Sequence, residues 1–152
     1  MKIFLLGLLL LASSGLFARD LPGAPSPTID ERLRNARDAI RARDWTNALA
    51  ELQDAAREEP RNADVFNLLG YSYRKHGNPD LTKAFEHYQM ALRLDPGHRG
   101  AHEYIGEAYL LDGRLAEAEK HLVALEKLCG NRTCEEYADL ERAIAVYRAR
   151  KK

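Results

Sequence analysis

The sequence predicts an all-α fold built from repeated helical hairpins, and three observations predict it. Ala, Leu, Glu and Arg dominate the 152 residues, and these are good helix formers. No run alternates β-branched and polar residues in the way a half-buried strand requires. The chain also repeats itself. "NLLGYSYRKHG", from Asn67 to Gly77, returns 36 residues later as "YIGEAYLLDG", from Tyr104 to Gly113. "KAFEHYQMALRLDP" from Lys83 matches "NALAELQDAAREEP" from Asn47, and "EAEKHLVALEKL" from Glu117 is a third copy. Self-similarity at a fixed period is the mark of a solenoid, in which each unit has an apolar face it cannot bury alone.

The N-terminal stretch "MKIFLLGLLLLASSGLFARD" places Lys2 before an apolar run from Ile3 to Ala12, followed by small residues. That is the layout of a secretory signal peptide, expected over residues 1–18 with cleavage after Ala18. Cleavage after Gly15 and an uncleaved anchor are the alternatives. The run is short of the roughly 20 apolar residues that cross a bilayer, so stable insertion after cleavage is not expected. No cysteine follows it, which argues against a bacterial lipid anchor. The expected location is exported: periplasmic for a Gram-negative source, secreted otherwise. Losing Lys2 takes the formal charge from zero to one negative, so overall charge points to neither nucleic acid nor a membrane surface.

Residues 19–28 carry Pro22, Pro25, Pro27 and Gly23 and read as an extended linker. Thr28 and Glu31 then form a capping box that starts the first helix. Pro60 and Pro96 stop helices and open the next unit. Gly77 reads as a helix C-cap after Arg74, Lys75 and His76. Gly70 inside a helical pattern costs about 1 kcal/mol relative to alanine, which close packing against a neighbouring helix can offset. From Thr133 a second capping box with Glu136 opens a last helix, with Tyr137, Leu140, Ile144 and Tyr147 on one stripe. This helix, within residues 133–152, is expected to cap the array. Its closing "RARKK" reads as a solvated end whose cations complement the helix dipole, with an anion-reading patch as the sharper alternative. Cys129 and Cys134 flank "GNRT"; in an oxidising compartment they are expected to form a disulfide that holds the last helix in place. Redox-active or metal-binding thiols are the alternative.

These residues resemble the tetratricopeptide repeat, a 34-residue helix-turn-helix with the pattern W, L-G, Y, then A, F, A, P. The strongest copy, residues 63–98, has Phe66, Leu69, Gly70, Tyr73, Ala84, Tyr88, Ala91 and Pro96 in place, with a two-residue insertion around "NPD". Residues 99–132 keep Ile105, Gly106, Tyr109, Gly113, Ala118 and Leu122; residues 29–62 keep Ala48, Leu52, Ala55 and Pro60, with Trp45 near the turn. The resemblance implies a right-handed α-solenoid of three repeats plus a capping helix. It also implies that Gly70 with Ala84, and Gly106 with Ala118, let the two helices of a repeat approach closely.

A groove lined by the first helix of each repeat follows from the same resemblance. Its positions are Arg34, Arg37 and Arg41 in the first repeat and Asn67, Tyr71, Arg74 and Lys75 in the second. The third supplies Glu103, Tyr104 and Glu107, with Leu110 and Leu111. In this register the groove is basic at its N-terminal end and acidic to apolar at the other, which suits an extended peptide. The family subgroup that clamps a C-terminal carboxylate needs lysines and asparagines at set places; Asn67 falls near one and the rest of that pattern is absent.

No phosphate-binding glycine loop, nucleophile elbow, H-E-x-x-H or paired-cysteine zinc pattern occurs, so neither enzyme activity nor a cofactor is expected. His98 and His102 are four apart with His87 nearby, but His98 precedes a helix and His102 takes a packing position, which favours structure over a metal. The reading is an exported, non-enzymatic adaptor or assembly factor whose partner is another protein or a peptide segment. The alternatives are a scaffold that forms a homo-oligomer through a solenoid end, and a thiol or metal carrier using the cysteine pair.

Overall fold

The computed structural model describes residues 26–151. The expected signal peptide, its cleavage site and most of the Pro-rich linker lie outside the described residues. Within them the chain forms seven helices and no strand. These are α1 (Ile29–Arg41), α2 (Trp45–Glu58), α3 (Ala63–Lys75), α4 (Leu81–Leu94), α5 (Arg99–Leu111), α6 (Leu115–Cys129) and α7 (Glu135–Arg150). The pairs α1–α2, α3–α4 and α5–α6 are the three hairpins, and each packs on the next through its second helix, α2 on α3 and α4 on α5. α7 follows as a single capping helix that packs on both α5 and α6.

Local chemistry accounts for most of the helix ends. Thr28 accepts from the amide of Glu31 while the Glu31 carboxylate accepts from the amide of Thr28, the reciprocal box the sequence predicts. Asp44, Asn62 and Asp80 each accept an amide three residues on and so cap α2, α3 and α4. The helices before Pro60 and Pro96 end at Glu58 and Leu94.

Two capping expectations fail, for local reasons. α7 begins one residue later than the Thr133 box requires, with Cys134 as its N-cap, so Glu136 falls at the second helical position and cannot close the box. The Thr133 amide and hydroxyl both turn instead to the side-chain oxygen of Asn131. Gly77 is not a left-handed cap either. α3 leaves through His76 in an extended conformation, and the inserted Asn78–Asp80 segment closes the turn with an amide of Asp80 on the carbonyl of Tyr73. The uninserted hairpins do use the left-handed region: Gly113 has φ 78° and Arg43, at the same place in the first hairpin, has φ 58°. There the Arg114 and Asp44 amides close identical turns on Tyr109 and Ala39.

The core is a seam of small residues and large anchors. Ala36, Ala48, Ala55, Ala84, Ala91, Ala108 and Ala118 are fully buried, and Leu52, Leu69, Tyr88, Ile105, Leu125 and Leu140 fill the space between them. At Gly70 an added Cβ would stand 2.6 Å from two ring carbons of Tyr88, so the glycine seats a whole aromatic ring from the partner helix α4. Gly106 has a different function from the one its repeat position implies. Its open face is filled by Leu140 of α7, at 2.6 Å from the would-be Cβ, and not by its own partner helix α6. The last helix therefore occupies the place that the next repeat would take.

Candidate functional site

The last turns of α3, α5 and α7 meet around one cavity of about 720 Å³. Lys75 from α3, Leu110 and Leu111 from α5, and Arg142, Val146, Tyr147, Arg150 and Lys151 from α7 line it, with Arg74 and Glu107 at its floor. Leu111 and Val146 stand 62% and 45% exposed, among the largest apolar side chains left uncovered. Toward the first turns of α5 and α7 stand further carboxylates, Glu103, Glu136 and Asp139, which repel one another. The charge gradient therefore runs along the helix axes, acidic at the helix starts and basic with apolar side chains at the helix ends.

Of the residues expected in the groove, Arg74, Lys75, Glu107, Leu110 and Leu111 line this cavity, and Asn67, Tyr71, Glu103 and Tyr104 lie outside its lining. Arg34, Arg37 and Arg41 are exposed on α1, away from the cavity; Arg41 pairs with Asp38. The arginine of α1 that forms interhelical contacts is Arg32, which bridges Glu51, Asp54 and Glu58 of α2 at 3.2, 3.2 and 2.9 Å. Tyr71 and Tyr104 face one another with ring centres 4.9 Å apart.

Arg74 is buried and is not a solvent-facing contact. Its Nε donates to the Tyr88 hydroxyl at 3.1 Å, and its Nη2 stands 2.7 Å from Glu107 Oε2. The second contact is ionic only, since no aligned acceptor meets Nη2. The guanidinium also lies 5.4 and 5.5 Å from the ring centres of Tyr71 and Tyr104. Burial works against its charge, and Tyr88 and Glu107 more than offset it. Burial pushes the Tyr88 hydroxyl well above its ordinary range and that of Tyr104 up to about 12, so both stay protonated.

Glu103, also buried, is pushed up to about 8 by burial first and then by Glu107, Asp139 and Glu136. Asn67, at the same place in α3, is buried with its Oδ1 unpaired. The sequence reading took α7 as a cap, with an anion-reading patch as the alternative for its closing cations, and did not place Arg142, Val146 or Tyr147 in the groove. The signal was present as Arg142, Val146 and Arg150, four residues apart and off the Leu140–Ile144–Tyr147 stripe.

Among the described residues, no group of three histidines is close enough to share an ion. His98 caps α5 through Nδ1 and holds Asp64 of α3 through Nε2 at 2.9 Å. His102 Nε2 meets the Pro96 carbonyl at 3.0 Å and so carries the proton; its Nδ1 then accepts from His121 Nδ1 at 2.8 Å. Burial and the neighbouring His102 push His121 down to about 4, so His121 is neutral at pH 7. His87 stacks on Tyr73 instead. Among the described residues, Cys129, Cys134 and Glu136 are the one trio close enough to share an ion. The two sulfurs are at bonding distance from each other, with Cα atoms 6.1 Å apart.

The sequence pattern of the tetratricopeptide repeat matches residues 33–99 and again 80–129. None of the curated proteins matches the chain in sequence. Among solved structures, the Yersinia enterocolitica type III secretion translocator chaperone SycD, in an alternative dimer, superposes with a TM-score of 0.72 at 19% identity, covering 84% of this chain and 97% of that one. The TPR2B domain of yeast Sti1, solved in a complex with pHsp70, gives 0.71 at 14% identity over 82% and 98% of the two chains. At these identities the likeness is one of fold.

Proposed function

The chain belongs to the tetratricopeptide repeat family, and from that premise we propose that it is an exported, non-enzymatic adaptor or assembly factor that holds a segment of another protein in the groove of α3, α5 and α7. The fold commonly mediates protein–protein interaction, and the relatives by fold include a secretion chaperone and a domain in complex with pHsp70. The observation that carries the reading is the cavity of about 720 Å³, where exposed Leu111 and Val146 are ringed by Lys75, Arg142, Arg150 and Lys151. Exposed apolar side chains set among cations suit a segment that offers an apolar side chain beside acidic ones. Export is supported by the leader-like first 18 residues and by the paired sulfurs of Cys129 and Cys134, which suit an oxidising compartment.

The test is capture of partners from the native compartment by wild type beside a variant carrying Leu111→Asp and Arg150→Glu. Both residues are exposed, so the fold should survive, and the captured set is expected to shrink. An unchanged set removes the groove from the function. Self-association is the second reading, favoured by Val123 and Leu128 standing exposed on α6. Sedimentation at several concentrations decides it: a concentration-independent monomer sinks the scaffold.

A further inference from the structure

The cavity at the ends of α3, α5 and α7 holds more positive charge than the fold uses. Its lining carries five cations, Arg74, Lys75, Arg142, Arg150 and Lys151, against two carboxylates, Glu107 and Asp139. Arg74 is taken by Glu107 at 2.7 Å and Arg142 by Asp139 at 3.0 Å. Lys75, Arg150 and Lys151 are exposed and make no ion pair among the described residues. The chain as a whole has a formal charge of zero, so this surplus is local. Its arrangement is ordered as well. α5 packs on both α3 and α7 and so stands between them. Across the three helix ends the surface therefore runs cation, apolar, cation: Lys75 on α3, Leu110 and Leu111 on α5, then Val146 with Arg150 and Lys151 on α7.

We propose that this strip reads an internal, extended stretch of the bound segment in the order acidic-x-apolar-x-acidic. One side-chain carboxylate meets Lys75, the other meets Arg150 and Lys151, and the apolar residue between them covers Leu111 and Val146. Charge complementarity selects the acidic side chains. Strand geometry selects the spacing. Alternate residues of an extended segment point the same way, so i, i+2 and i+4 share a face and span about 13 Å at roughly 3.3 Å per residue. Neighbouring helix axes lie about 8–10 Å apart, so the axes of α3 and α7 are about 16–20 Å apart, and the long stems of Lys75 and Arg150 close the remainder. A stretch this short forms no stable helix in water, which favours the extended form. Nothing in the strip calls for a chain end, since Asn67, the one residue near a terminal-carboxylate clamp position, lies outside the lining. The inference rests on the groove being a protein-binding site and adds the order of residues that it reads.

The experiment follows the Leu111 and Val146 methyl groups by NMR in the full chain as three peptides with blocked ends are added. The first is acetyl-Gly-Glu-Ser-Leu-Ser-Glu-Gly-amide. The second, acetyl-Gly-Ser-Ser-Leu-Glu-Glu-Gly-amide, has the same composition with one glutamate moved to the opposite face, and the third is the first with glutamine for both glutamates. The first should move both methyl resonances to saturation and bind about fivefold more tightly than the third and about threefold more tightly than the second, as two exposed ion pairs and then one are lost. Lys75→Gln and Arg150→Gln should each reduce the preference for the first peptide over the third by about half, while Arg34→Gln, exposed on α1 away from the cavity, leaves it unchanged. Equal binding of the first and third peptides to wild type overturns the proposal whatever the variants do. So does equal binding of the first and second, or a preference that falls as far with Arg34→Gln as with Lys75→Gln. The groove reading fails separately, through partner capture that ignores Leu111→Asp with Arg150→Glu; capture that depends on that variant, beside equal peptide affinities, removes only the residue order.

Discussion

At Gly70 a methyl group would overlap the Tyr88 ring, which is fully buried and has nowhere to retreat. Gly70→Ala should therefore destabilise the protein by about 1–2 kcal/mol in urea titration, the overpacking cost exceeding the roughly 1 kcal/mol that alanine gains in a helix. A neutral or stabilising outcome would mean that α4 shifts freely against α3. Glu103 supplies a prediction in pH. Its folded value of about 8 lies above the ordinary 4.5, so the folded state holds the proton more tightly than the unfolded chain. Its contribution is complete below about 4.5 and is lost as pH rises through 8. Glu103→Gln should flatten the fall in melting midpoint between those limits, and a variant that tracks wild type across the range contradicts it. At this scale the sequence was legible where a residue needs only its near neighbours, as Thr28 and Glu31 do. It was misleading for Arg74, whose register faces the groove but whose side chain is enclosed by Tyr71, Tyr88 and Tyr104 from three different helices.

Among the elements, α7 carries the most that its sequence did not announce. The stripe of Tyr137, Leu140, Ile144 and Tyr147 marked the buried face correctly, three of the four being buried and Tyr147 half-buried. A stripe states which side is apolar and not which helix it meets, so neither the seat of Leu140 on Gly106 nor the arrival of Arg142 and Arg150 at the groove could be read from it. The Cys129–Cys134 link sits at the joint between α6 and α7. Replacing both cysteines by serine should lower stability by about 2 kcal/mol, the short loop giving the low end of the usual range. Amide exchange should quicken in α7 before α3. Uniform quickening across all helices would show that the link acts on the whole fold, and free thiols in mass analysis of native protein would remove it altogether.

For the whole molecule, a repeat array must end somewhere, and the exposed seam of a final repeat invites another copy. A chain stopped at Arg132 lacks α7 and uncovers Gly106, Leu110 and Leu125. That truncation is expected to sediment as concentration-dependent oligomers, and a well-behaved monomer would show that α7 serves the groove alone. The repeats were legible because they recur along one chain. The share of α7 in the cavity was not, since it depends on which rim that helix reaches.

The ring seated on Gly70 has one more consequence. Where the repeat pattern has phenylalanine, this chain has Tyr88, a difference of one oxygen atom, and that oxygen receives Arg74. Phenylalanine would fill the same seat and leave the solenoid intact, yet the guanidinium would lose its anchor and with it a fixed position beneath the groove. Drift at this site would thus be silent in fold and audible at the cavity: two proteins with superposable backbones could present this buried cation differently, through a substitution on the helix behind it.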